Sequence, residues 1–164
     1  MRNYNESPGE KVKMEVRIVQ LNSQPALSIS VTCTFAELGN KFGEIYSEIG
    51  AYIKSNSIKA AGYPFGIYHS FSPEKIELEA GIPVEAGAAG EGRIKTMQTY
   101  GGKAANGTFT GHYDKLKEAW QLFAKLVDDE KHELNGPCFE VYVTDPEEEP
   151  DSSKWITELY TPVK

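Results

Sequence analysis

The segment Phe139-Glu140-Val141-Tyr142-Val143-Thr144 puts a carboxylate and a phenol two residues apart on a strand-like run. Side chains alternate along a strand, so Glu140, Tyr142 and Thr144 share one face and Phe139, Val141 and Val143 the other. The apolar set is expected under the helices, and the polar set in solvent or in a cleft. A carboxylate among aromatic rings can capture an organic cation through its charge and through cation–π contact. A carboxylate beside a phenol can also assist attack by water as general base and acid. Residue type alone leaves a solvated strand glutamate open as well, since Glu is mostly exposed in folded proteins.

An internal echo sharpens the first reading. Phe65-Gly66-Ile67-Tyr68 matches Phe139-Glu140-Val141-Tyr142, and Ile82-Pro83-Val84 matches Thr161-Pro162-Val163. The match sets Gly66 against Glu140 and Tyr68 against Tyr142. A glycine opposite a carboxylate is expected to leave room for a guest, with the two tyrosines as aromatic walls and Trp155 and Tyr113 as further aromatic neighbours, although aromatic residues dominate cores and plain packing stays open for all four. Glu79 and Glu158 also correspond and offer second carboxylates, although strand glutamates usually end on solvated edges.

Other chemistries find little support. GAAGEG and GGKA lack the Gly-Lys-Ser/Thr ending and following helix of a phosphate loop. His69, His112 and His132 have no Cys or His at metal-ligand spacing. Cys33 and Cys138 sit in apolar runs, where free cysteine behaves as a small hydrophobe, and neither has a local triad. The run Glu147-Glu148-Glu149 reads as a solubilising turn rather than a metal site. The sequons at Asn5 and Asn106 are taken as accidental, for want of a secreted context.

Several elements must position these residues. MEVRIVQL reads as a strand, and ALSISVTCTF as a second one after the turn Asn22-Ser23-Gln24-Pro25. Leu38, Phe42, Ile45, Ile49 and Tyr52 recur every three or four residues and predict a helix from about Phe35 to Ser55. PFGIYHSF and KIELEAGIPV, separated by Ser72-Pro73, predict a hairpin. After a Gly/Ala-rich loop, Glu85 to Gly92, the pattern begins again with IKTMQTYGG. A second helix is expected from about His112 to Lys131, with Tyr113, Leu116, Trp120, Phe123 and Val127 on one face. PCFEVYVTD and KWITELYTPV close the chain. The expected class is α+β: two βαββ repeats about a pseudo-two-fold axis, an antiparallel sheet with two long helices, and a ligand cleft between the halves. The expected domains are a flexible leader over residues 1–12 and one domain over 13–164, with halves at about 14–86 and 92–164.

Bulk properties narrow the class further. The 164 residues suit one domain, and 40% hydrophobic with 25% charged content is ordinary for a globular chain. The net charge of −7 comes with no dense Lys/Arg stripe, so direct nucleic-acid binding is not expected. No window approaches the apolar length of a membrane span, and the N-terminus lacks the apolar core of a signal peptide. Two cysteines are too few for a disulfide scaffold, which points to a reducing compartment and to the cytoplasm.

The segments GYPFGIYHSF, EAGIPV, GTFTGHYDKLKEAW and above all FEVYVTDPEEEPDSSKWITELYTPV resemble, in this order, the gyrase-inhibitor-like (GyrI-like) effector-binding family. That family occurs alone or fused to transcription regulators of the AraC and MerR types. The resemblance spans nearly the whole chain and implies a tandem βαββ fold with a pocket between the halves. It places the family's buried acid on Glu140, facing cationic or amphipathic guests. No DNA-binding segment is evident, which implies a stand-alone binder.

Some stand-alone relatives resemble hydrolases of strained-ring, electrophilic natural products, a role that Glu140 with Tyr142 would fill. The family name also permits an inhibitor of a partner enzyme such as a topoisomerase, without a motif here. Related tandem folds bind haem, but no His is singled out as an axial ligand, so no cofactor is expected. The expected partner is a small organic molecule.

Overall fold

The computed structural model describes residues 12–164; the expected leader lies outside the described residues except for Val12. Ten elements follow in order: β1 (Arg17–Leu21), β2 (Pro25–Cys33), α1 (Leu38–Ser55), β3 (Phe65–Ser72), β4 (Lys75–Pro83), β5 (Lys95–Gln98), β6 (Gly102–Thr110), α2 (Leu116–Asp129), β7 (Phe139–Tyr142) and β8 (Ile156–Pro162). Each long helix is entered through one turn of 3-10 helix, Phe35–Glu37 and Tyr113–Lys115. Thr34 and Glu37 form a capping box at the first entry, satisfying backbone donors that would otherwise be orphaned.

All eight strands form one antiparallel sheet in the order β1-β6-β8-β7-β3-β4-β2-β5. Exchanging the two halves of the chain reverses this order onto itself, so a pseudo-two-fold axis passes between β3 and β7. Each half has two strands before its helix, and the first of them crosses over. β1 pairs with β6 of the second half, and β5 pairs with β2 of the first.

The sequence pattern misses one strand. IKTMQTYGG contributes β5 and the turn after it, whereas β6 is a separate strand rich in Ala104, Ala105, Asn106 and Gly107, residues with low strand propensity. Packing explains them. A Cβ on Gly107 would lie 2.5 Å from Met14 Sδ and 2.8 Å from Phe123 Cδ2, so small residues let α2 seat closely. Asn106 is buried in this strand. It accepts from Arg17 Nε at 2.9 Å and donates to Glu158 Oε2 at 2.9 Å and to the Leu159 carbonyl at 3.1 Å.

Each half has its own apolar core under its helix. Ile45 and Ile49 of α1 cluster with Leu27, Ile29 and Leu78. Ala119, Phe123 and Val127 of α2 cluster with Ala105, Phe109 and Leu159. These are the helix stripes that three- and four-residue spacing predicts.

Thr157, on β8 beside the second core, is fully buried, and its hydroxyl has no hydrogen-bond partner among the described residues. A buried unsatisfied hydroxyl costs about 1–3 kcal/mol. Thr157→Val keeps the shape and removes the polar atom, so its denaturant midpoint is expected to equal or exceed that of wild type. A loss of more than about 1 kcal/mol would show that the hydroxyl is satisfied.

Candidate functional site

β3 and β7 meet antiparallel at the axis, with Gly66 directly opposite Glu140, Phe65 opposite Val141 and Ile67 opposite Phe139. Both helices cover one face of this pair: Phe42 of α1 lies over Gly66 and Tyr68, and Trp120 of α2 reaches Glu140. Glu140 and Tyr142 therefore point toward the helices. Phe139 and Val141 lie on the opposite face, where Phe139 stacks on Tyr160 with ring centroids 4.9 Å apart. Phe139 and Val141 thus lie away from the helices, against expectation, while the polar set faces a cleft, one of its two expected places. Side chains of both helices line a cleft over the axis, together with polar and aromatic groups of the sheet, while the apolar cores sit to either side.

Glu140 is 2% exposed and forms the floor of that cleft. Its Oε1 accepts from Trp120 Nε1 at 2.5 Å, and its Oε2 accepts from the hydroxyls of Tyr68, at 3.1 Å, and Tyr142. Burial pushes the carboxyl above its ordinary range, while the bonds from Tyr142, Trp120 and Tyr68 pull it back down. Burial, reinforced by the nearby carboxylate, raises Tyr46, Tyr68 and Tyr142 well above ordinary phenols, so all three remain neutral donors. The three donors to Glu140 are thus uncharged.

The cleft has a volume of about 1440 Å³. Around Glu140 its walls are aromatic: Phe42 lies 5.7 Å from Tyr142 and 5.8 Å from Tyr46 between ring centroids, and Tyr113 lies 5.9 Å from Tyr142. The Tyr46 hydroxyl donates to the Phe65 carbonyl at 2.7 Å, which ties α1 to β3. Lys117, an exposed residue, is the one base among the described lining residues. Four exposed acids share the lining with it: Asp114, Asp145, Glu147 and Glu148.

The sequence-chosen residues divide accordingly. Glu140, Tyr142, Tyr68 and Tyr113 come together in the cleft. Gly66 is at the axis, but the space above it is taken by Phe42: a Cβ there would lie 2.7 Å from Phe42 Cε1. It makes room for a helix side chain, not for a guest. Trp155 is not part of the lining. It packs behind Tyr113 at 4.9 Å and His112 at 5.3 Å, and donates to the Glu149 carbonyl at 2.7 Å, so it braces the wall.

Glu79 and Glu158 do not join Glu140. Glu79 accepts from Ser28 Oγ at 2.7 Å and lies 2.8 Å from His69 Nε2, while Glu158 accepts from Asn106 and Thr108. Among the described residues, no group of three or more His, Cys, Asp or Glu could hold a metal, and no helix is long and apolar enough to cross a membrane.

Helix spacing puts Phe42 and Trp120 on the core stripes, and it marks neither them nor Tyr46 as site residues. Counting from Leu38 and Leu116, the helix starts, sets Phe42 against Trp120, Ile45 against Phe123 and Ile49 against Val127. That alignment pairs Gly66–Phe42 in one half with Glu140–Trp120 in the other, and it was present in the sequence.

Comparison with known proteins bears on this geometry. Residues 14–164 match the model of the GyrI-like small molecule binding domain. No curated protein sequence matches the chain. The C-terminal domain of EcmrR superposes with a TM-score of 0.79 at 20% identity, over 93% of this chain and 98% of that one. In the complex of EcmrR with DNA the TM-score is 0.83 at 19% identity, and the match covers 92% of this chain but 57% of the EcmrR chain.

SAV2435 bound to tetraphenylphosphonium gives 0.68 at 17% identity, over 92% and 94% of the two chains. A hydrolase from Listeria innocua gives 0.62 at 14% identity, over 92% of each. At these identities the likeness shows a shared fold.

Proposed function

We propose, since this chain belongs to the GyrI-like small molecule binding domain family, that its cleft captures cationic, amphipathic organic molecules, with Glu140 as the counter-charge. The observation that carries this reading is a carboxylate at the cleft floor, 2% exposed, whose partners are three neutral donors. A buried carboxylate without a positive partner is costly, and the cost falls when a cation arrives. The surrounding Tyr and Trp rings offer π-faces, and a desolvated cation–π contact contributes about 2 kcal/mol or more. Four acids against one base in the outer lining favour entry of positive charge.

The hydrolytic alternative requires a carboxylate free to take a proton from water. Glu140 already accepts three hydrogen bonds, so three of its roughly four acceptor positions are taken, and the other lining acids are exposed residues that give it no buried acid partner. Non-catalytic capture is therefore the function this geometry supports best.

Tetraphenylphosphonium and tetraphenylborate share a shape and differ in the sign of their charge, so the pair isolates electrostatics. In a thermal-shift titration the phosphonium is expected to stabilise the protein, by about 2.7 kcal/mol at a hundredfold excess over its Kd. The borate is expected to give no shift. Equal shifts from both ions would overturn the proposed role of charge, and conversion of an electrophilic compound in parallel incubations would revive the hydrolase.

A further inference from the structure

Five large hydrophobic side chains are exposed among the described residues, and three of them, Phe35, Tyr63 and Phe71, at 50%, 55% and 56%, line the cleft. Single exposed hydrophobics are normal on any surface, but their concentration at one opening marks a binding surface. The Phe35 amide donates to the Pro73 carbonyl at 3.0 Å, which fixes the first turn of the α1 entry against the β3–β4 hairpin. The ring of Phe35 meets that of Phe71 edge-on, with centroids 6.3 Å apart.

The two rings continue inward to the acid. Phe71 meets Tyr68 edge-on at 5.7 Å, and the Tyr68 hydroxyl donates to Glu140 at 3.1 Å. An unbroken aromatic track thus runs from the buried carboxylate to an exposed apolar lip on the first-half side. The second half supplies exposed acids instead: Asp114, Asp145, Glu147 and Glu148. A guest with its charge at Glu140 finds exposed aromatic cover for a long chain along the first-half lip.

We propose that the cleft selects long-chain cationic amphiphiles, with the head group at Glu140 and the hydrocarbon tail lying along Tyr68, Phe71 and Phe35. This rests on the cation-capture reading and adds to it a preferred tail and its path. Complete burial of a methylene gives about a fourfold gain in affinity, and a tail lying on an open lip is covered on one side. The gain expected here is therefore about twofold per methylene.

The test uses butyl-, hexyl-, octyl- and decyltrimethylammonium, each below its micelle concentration, with Kd measured by calorimetry. For wild type, affinity is expected to rise about twofold for each added methylene. Phe35→Ser/Phe71→Ser is expected to flatten that slope, and Phe71→Ser alone to give an intermediate slope. Both residues are about half exposed, so the variants are expected to fold.

A flat slope in wild type, or a slope that survives the double variant, overturns the proposal. Glu140→Gln reports on the head group independently: it is expected to lower all four affinities by one common factor, leaving the slope intact. If it lowers none of them, the cation-capture reading itself fails, and that result is distinct from a failure of the slope.

Discussion

Glu140→Gln is expected to weaken tetraphenylphosphonium binding about a hundredfold and, at neutral pH, to raise the melting temperature of the ligand-free protein. Both effects have one origin. Removing one partner of a buried charge pair costs about 2–5 kcal/mol of affinity, and about 2.7 kcal/mol corresponds to a hundredfold. In the ligand-free state the same charge is a liability, because burial disfavours the carboxylate more than its three donors favour it. The amide is nearly isosteric and carries no charge. Its oxygen can keep the bond from Trp120, and its NH₂ can donate to the tyrosine oxygens.

The sign of the pH dependence follows from the raised carboxyl. Native Glu140 keeps its proton at pH values where the unfolded chain has already lost it, so the native state binds more protons in that window. Stability therefore falls as pH rises from the ordinary carboxyl range to the raised native value, and the penalty is constant above it. Glu140→Gln removes this fall.

Cation binding runs the other way. It selects the carboxylate, so affinity rises with pH up to the native value and then levels off, and protons are released on binding below it. Calorimetry in two buffers of different ionisation enthalpy measures that release. A variant with undiminished phosphonium affinity, or with lower apo stability at neutral pH, would contradict this account of Glu140.

How much of this was legible in the sequence depends on what each pattern encodes. Three- and four-residue spacing located α1 and α2 and their buried stripes, because a helix face must be apolar to dock on a sheet. Alternation showed that Glu140 and Tyr142 share a face, but a period of two is silent on which face lies inward. The apolar side chains of Phe139 and Val141 suggested the wrong one, since the helix side of this strand holds the cleft and its buried acid. β6 escaped because close approach of α2 demands Ala and Gly where strand propensity favours branched residues.

Trp120 and Phe42 lay on stripes that read as core, and in part they are core: Trp120 packs edge-on against Phe123 with centroids 5.5 Å apart. Their second role depends on side chains of both helices meeting at the axis, which no local pattern carries. The exchange of β1 and β5 between halves is likewise a matter of strand partners, which hydrophobic periodicity does not specify.

The axis itself yields the second large effect, at Gly66. A Cβ at this position would stand 2.7 and 2.9 Å from the Phe42 ring and 3.4 Å from the Tyr142 hydroxyl. The ring cannot retreat freely, since Tyr46, Tyr68 and Tyr142 surround it. Gly66→Ala is therefore expected to destabilise the protein by about 1–3 kcal/mol, the cost of overpacking a well-filled site. It is also expected to lower phosphonium affinity, because Phe42 lines the cleft and a shift of its ring changes that wall.

Phe42→Leu should relieve the clash, so that Gly66→Ala costs less in that background than alone, a non-additivity that a double-mutant cycle reads directly. Additive costs would show that Phe42 does not depend on the missing Cβ. Position 66 faces position 140 across the strand pair, so a second carboxylate there would put like charges directly opposite each other, an arrangement that destabilises a sheet. The axis accommodates one acid. In the other half the equivalent space belongs to the ring that helps wall the acid in, so binding asymmetry within a symmetric fold comes down to which half carries the glycine.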